Sequence, residues 1–186
     1  MQGLWITCAL IAGALLEVLV GRYGVLLPLT AMIAFYFFVM RCWRQALWLS
    51  WITGTFVDMS YGRSFPYYLI LLPLVLLCAR AWKEYQLTHL YVAQVIPGAI
   101  IGGMAFFLAL LASYMNLADG VSFPFFRYFM LALKCTGLVA FGLPLLVCLL
   151  ETCSKLLGLR RFTRVGSERL LASVAEADEE GEDALR

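Results

Sequence analysis

Four ionisable side chains stand inside or at the edge of long apolar runs in this chain: Glu17, Asp58, Lys134 and Glu151. An ionisable group at the centre of a membrane helix costs about 2.5–3.5 kcal/mol on insertion scales, so such a position is a functional candidate by default. Glu17 and Asp58 fall near the outer ends of the first and third runs. Lys134 lies about 12 Å into the sixth at 1.5 Å per residue, which puts all three at one level. At that depth Lys134 either pairs with one of the carboxylates or snorkels to outer water. Glu151 lies near the opposite face, one turn from Lys155. Other chemistry-bearing residue types are sparse. The single histidine, His89, reads as a polar flank, since one histidine builds no HExxH site, no Ser/His pair and no haem pair. Cys8, Cys42, Cys78, Cys135, Cys148 and Cys153 form no CxxC and serve as small apolar residues in or beside the runs. There is no glycine-rich phosphate loop and no basic aromatic surface for nucleic acid. The expectation is a non-enzymatic protein without cofactor or metal.

The elements that position these groups follow from composition. Hydrophobic residues make up 63% of the 186 positions and charged residues 14%. A soluble domain of this size cannot hide that much apolar surface, whereas a bilayer leaves nothing to hide. The apolar runs 4–20, 25–40, 46–60, 64–82, 90–114 and 126–150 approach the roughly 20 residues a spanning helix needs. The fold class expected is all-α: a polytopic membrane protein with a compact bundle of six transmembrane helices over residues 1–157. The links Gly21-Arg22-Tyr23-Gly24, Arg41-Cys42-Trp43-Arg44-Gln45 and Tyr61-Gly62-Arg63 are short, so the first four helices run antiparallel. The first run lacks a basic leader and a small-residue cleavage site, and it reads as a retained helix rather than a signal peptide.

Basic residues set the orientation. With six spans and the N-terminus inside, Arg41, Arg44, Arg80, Lys83, Lys155, Arg160, Arg161, Arg164 and Arg169 are cytoplasmic, against Arg22, Arg63 and Arg127 outside. This bias puts both termini in the cytoplasm. Tryptophans and tyrosines gather near the span ends as an interfacial belt does. Residues 158–186 form a tail, basic at Arg160, Arg161 and Arg164 and acidic over 176–183. It reads as a solvated, unfolded cytoplasmic segment whose basic part lies on the inner leaflet, or as a docking arm for a basic partner.

Two patterns concern helix packing. Gly98 and Gly102 form a GxxxG in the fifth run, which lets two helix backbones approach closely, within the chain or with a partner's helix. Pro97 and Pro144 are expected to kink their helices. In the third run, Trp51-Ile52-Thr53-Gly54-Thr55-Phe56-Val57-Asp58-Met59-Ser60-Tyr61-Gly62 is the most specific stretch of the chain. Gly54, Asp58 and Gly62 recur every four residues and share one face if the helix continues that far, opening a groove around the carboxylate.

This stretch resembles the rod shape-determining protein MreD family, whose mid-chain helix carries Gly-x-x-x-Asp followed by a short glycine-containing turn. The resemblance extends to length, the number of spans, Pro28 in the second span and a short basic loop before the Asp-bearing helix. It departs at Ser64-Phe65-Pro66, where the family opens the next helix with Leu-Gly, and in the acidic tail. The resemblance implies a scaffold of the bacterial inner membrane that organises lateral peptidoglycan synthesis. Its partners would be an MreC-like single-span protein, the actin-like MreB, a RodA-type glycosyltransferase and a class B penicillin-binding protein. It also implies a fold resembling the S-components of energy-coupling-factor transporters. That suggests an alternative function, a vitamin-binding transport subunit whose ligand meets Glu17, Asp58 and Lys134.

Overall fold

The computed structural model describes residues 2–23, 27–40, 43–63, 65–84, 92–115 and 125–158. Among them the chain is all-helical. Six α-helices follow one another: α1 (Gln2–Gly21), α2 (Leu29–Val39), α3 (Trp43–Ser60), α4 (Tyr67–Glu84), α5 (Val95–Met115) and α6 (Phe125–Leu156), with a 3-10 turn at Val92–Gln94 before α5. Each falls on one of the six apolar runs. Three of them, Gly3–Gly21, Val95–Ala112 and Phe129–Leu156, contain stretches long and apolar enough to cross a membrane. Only 33%, 39% and 33% of those stretches is buried within the fold, so most of their apolar surface faces outward, as it would towards lipid. His89, Cys42, residues 116–124 and the tail from 159 lie outside the described residues.

Proline and glycine decide where helices begin and end. Pro28 stands at φ −77°, ψ 67°, and the Leu29 N–H donates to Leu27 O at 2.8 Å. This is an inverse γ-turn, and it holds α2 back to Leu29 rather than the expected residue 25. A matching bond from Tyr67 N–H to Phe65 O, also 2.8 Å, spans Pro66 ahead of α4. Pro97 is the third residue of α5. There its missing N–H is among the donors any helix leaves free, so it opens the helix instead of kinking it. Pro144 is inside α6, and Pro73 is inside α4.

The eleven-residue α2 is about 16 Å long, too short to cross the hydrocarbon alone. It is the centre of the bundle: every residue from Thr30 to Val39 is buried. It packs broadly against α1, α3 and α4, and more lightly against α5 and α6. A helix apolar on all sides belongs inside its fold, and α2 obeys that rule. The Tyr36 hydroxyl meets Ser154 Oγ at 3.2 Å, tying α2 to α6. The Tyr67 hydroxyl donates to Ala105 O at 3.1 Å, tying α4 to α5.

The closest helix pair is α5 with α6, and its closeness comes from the GxxxG. A Cβ added to Gly98 would stand 2.9 Å from Ala140 Cα and from Val139 O. One added to Gly102 would stand 2.9 Å from Thr136 Cα. The motif therefore packs within the chain. Adjacent Gly103 has open space around it. Gly102→Val is expected to destabilise the fold by about 1–3 kcal/mol, the usual cost of overpacking, whereas Gly103→Ala should be nearly neutral. Thermal unfolding of the two variants in mild detergent checks the contrast.

Candidate functional site

The polar residues of the bundle gather where α1 and α3 end and α2 and α4 begin. A helix leaves its first N–H groups without internal partners, and apolar surroundings offer them no water. At α2 the capping position is Pro28, which has no side-chain hydrogen bond to give. The acceptor comes from another helix. Glu17, in the last turns of α1 and 5% exposed, takes the Thr30 N–H on Oε2 at 3.0 Å. At α4 the same device recurs: Asp58, near the end of α3, takes the Tyr68 N–H on Oδ2 at 2.9 Å. In both cases the carboxylate reaches the second residue of the following helix.

Tyr68 joins the two caps. Its backbone is held by Asp58, and its hydroxyl donates to Glu17 Oε1. Asp58 Oδ1 accepts from Arg63 Nη1 at 3.2 Å. The Arg63 guanidinium lies over the rings of Tyr61 at 4.6 Å and Tyr67 at 4.5 Å, two contacts that favour a cation. The Tyr61 hydroxyl donates to the backbone oxygen of Glu17 at 2.8 Å. Each of the four carboxylate oxygens thus has a donor from the chain itself. Their work is to lock the α1–α2 hairpin onto the α3–α4 hairpin.

The glycines of the Gly-x-x-x-Asp stretch serve this lock in different ways. A Cβ on Gly54 would stand 2.7 Å from Tyr68 Cβ and 2.9 Å from Cγ, so the groove expected beside Asp58 exists and Tyr68 fills it. Gly62 does not share the helix face of Gly54 and Asp58, because α3 stops at Ser60. It stands at φ +60°, with its N–H bonded to Met59 O at 3.0 Å and the Arg63 N–H bonded to Asp58 O at 3.1 Å. These two bonds make a Schellman motif, which a left-handed glycine suits. The motif ends α3 and turns Arg63 back onto Asp58.

Lys134 does not join the cluster. It is exposed on α6, a helix packed on α5 and α2 and not to any extent on α1 or α3. The cation beside Asp58 is Arg63, five residues away in sequence. Glu151 is buried on the part of α6 that carries Ser154, while Lys155 is exposed. Gly98 and Gly102 lie in the α5–α6 contact, apart from the carboxylates. None of the five described cysteines is in a disulfide, and no group of metal-ligand type occurs among the described residues.

Tyr68, Thr30, Tyr61 and Arg63 carry the lock, and single-residue reasoning passes over them. A signal for them is present in the chain as an internal repeat. Gly13-x3-Glu17-x3-Gly21-Arg22 matches Gly54-x3-Asp58-x3-Gly62-Arg63, and each is followed by a proline at the start of the next helix. A third copy matches the second in sequence: Asn116-x3-Gly120-x-Ser122-Phe123-Pro124-Phe125-Phe126 against Asp58-x3-Gly62-x-Ser64-Phe65-Pro66-Tyr67-Tyr68. The first two helical hairpins thus share one sequence plan, and the third segment shares the Gly-x-Ser-Phe-Pro stretch of the second.

Tyr68→Phe removes one donor from a buried carboxylate, and hydrogen bonds to charged groups contribute about 1.5–3 kcal/mol. A loss of that order in thermal or denaturant stability is expected, with a larger loss for Glu17→Ala, which leaves both Thr30 N–H and the Tyr68 hydroxyl unpartnered. Unchanged stability in both variants would show that the lock contributes nothing. Compared with protein-family models, curated proteins and solved structures, the chain finds no match.

Proposed function

We propose that this chain is a non-enzymatic, six-span scaffold of the bacterial cell-elongation machinery, related to the MreD family. Its place is the inner membrane, with both termini in the cytoplasm. It maintains cell shape by holding an MreC-like single-span protein, MreB, a RodA-type glycosyltransferase and a class B penicillin-binding protein at sites of lateral peptidoglycan synthesis. The observation that carries the reading is the use made of the Gly-x-x-x-Asp helix. Gly54 and Asp58 fix α3 against α4, and Gly62 makes the turn that ends α3. This is what a rigid docking platform requires, and it supports a holding role for those residues. The role of Asp58 is then to keep the platform in shape rather than to touch the partner.

Six crossings are reached by reading α2, α3 and α4 as spans alongside the three longer apolar helices. The short α2 is covered by its neighbours over its whole length, so it need not face lipid at either end. The transport-subunit alternative asks Glu17, Asp58 and Lys134 to converge on a ligand. The two carboxylates instead take donors from their own chain, and Lys134 stands on α6 away from them.

A fluorescent protein fused after Arg186 should be bright and alkaline phosphatase fused there inactive; the reverse pattern would put the C-terminus outside and overturn the proposed orientation. Pull-down of the tagged protein from its own membrane in mild detergent should recover an MreC-like protein with cell-wall synthases. Recovery of paired ATPases with a coupling subunit would replace the scaffold by a transporter.

A further inference from the structure

The end of α3 far from Asp58 carries a second cluster, made of one indole and two guanidiniums. Trp43 opens α3 and is partly buried against the core. The Arg80 guanidinium, from the last turns of α4, lies 4.7 Å from the centroid of the Trp43 ring, and that of Arg44 lies 5.4 Å from it. Both arginines are exposed. Two like charges are thereby drawn onto a single side chain. The positive end of α3 is close by, and its first turn holds no acidic residue to offset it. A cation in the first turn of a helix is on the unfavourable side of the helix dipole. Among the described residues the ion pair is Arg63 with Asp58, at the opposite end of α3, and neither Arg44 nor Arg80 meets a carboxylate there.

Such a concentration of positive charge favours an anion between the two arginines. The level of the cluster points to its source. Trp5 at the start of α1 and Trp82 at the end of α4 belong to the same end of the bundle as Trp43. The Trp5 and Trp82 indoles are turned into the fold, with their ring nitrogens buried, and it is the ends of α3 and α4 themselves that stand where membrane helices reach the headgroup region. At that depth the abundant anion is a phospholipid phosphate, and arginine pairs are suited to phosphate because each planar fork offers two parallel N–H donors.

We propose that Trp43, Arg44 and Arg80 form a binding site for the phosphate of an anionic phospholipid headgroup. Arg80 and Arg44 grip the phosphate, and Trp43 holds both guanidiniums in place from the side of the core. The site ties the α3–α4 hairpin to one leaflet. The chain's own acidic run, 176–183, is a less suitable occupant: Arg160, Arg161, Arg164 and Arg169 lie between it and α6 and offer it nearer counter-charges. The proposal rests on the membrane reading and not on the scaffold role.

Native mass spectrometry of the purified full chain in mild detergent, titrated with phosphatidylglycerol or phosphatidylcholine, tests it. Arg44→Gln with Arg80→Gln is expected to weaken phosphatidylglycerol retention about thirtyfold, at roughly the strength of two basic residues near a charged surface. Phosphatidylcholine retention should be unaffected. Arg22→Gln, an exposed arginine at the other end of the bundle, should bind phosphatidylglycerol as the wild type does. Because the two substituted side chains are exposed, the double variant should unfold at the wild-type temperature, and this is measured alongside. Equal phosphatidylglycerol retention by wild type and double variant overturns the site, and so does an equal loss in Arg22→Gln. Amidating the six carboxylates of 176–183 in the full chain separates the other occupant. No change supports a lipid, whereas a several-fold rise in phosphatidylglycerol retention assigns the site to the tail. Retention of neither lipid by the wild type would mean that the membrane reading itself has failed.

Discussion

A helix that starts in apolar surroundings leaves its first N–H groups with nowhere to go, and this bundle answers that constraint twice with a carboxylate from the preceding helix. A buried amide left unsatisfied costs far more than one at a wet surface. Neither Pro28 nor Pro66 has a side chain that accepts a hydrogen bond. Glu17 and Asp58 supply the missing acceptors from α1 and α3. The relative placement of the first four helices depends on these contacts, because a carboxylate held by two donors fixes the helix that carries it. Tyr68 couples the two caps by giving its amide to one and its hydroxyl to the other. A shift of α4 would disturb both at once.

Around that constraint, close packing is arranged by glycine in two separate places. Gly54 admits the ring of Tyr68 against α3, and Gly98 with Gly102 admits the backbone of α6 against α5. Lipid tails are as apolar as leucine, so helices in a membrane associate through such contacts and through hydrogen bonds rather than by hiding apolar surface. The outward faces of α1, α3 and α6 remain apolar and exposed, from Leu4 and Phe56 to Phe141. Within the scaffold reading, the inner contacts make a stiff body whose outer faces are left for lipid and for partner helices.

The two ends of the bundle treat their arginines differently. The carboxylate end is internally compensated, with Arg63 paired and stacked. The opposite end collects Arg44 and Arg80 on Trp43 without a described counter-charge. One end is consumed by holding the fold, and the other keeps its two arginines exposed.

The six helices were legible in the chain because the signals that make them are local: an apolar run long enough for a helix, closed by Gly, Pro or Arg. The importance of Glu17 and Asp58 was legible too, since a charge in such a run is conspicuous whatever surrounds it. Their partners were not. Lys134 has the right charge and depth but is carried by a helix that does not pack on α1 or α3. Tyr68 looks like one more aromatic residue, yet it lies 51 positions from the carboxylate it satisfies. The repeated Gly-x3-acid-x3-Gly-Arg plan marks equivalent places in the hairpins, but it does not say that one hairpin's tyrosine closes the other's cap. The sequence by itself determined the helices, their polar punctuation and their apolar surfaces, because those depend on neighbours along the chain. Only the tertiary structure decided which donor meets which carboxylate and that α2 is the buried centre, because a carboxylate accepts from any donor within reach and helix adjacency sets the reach.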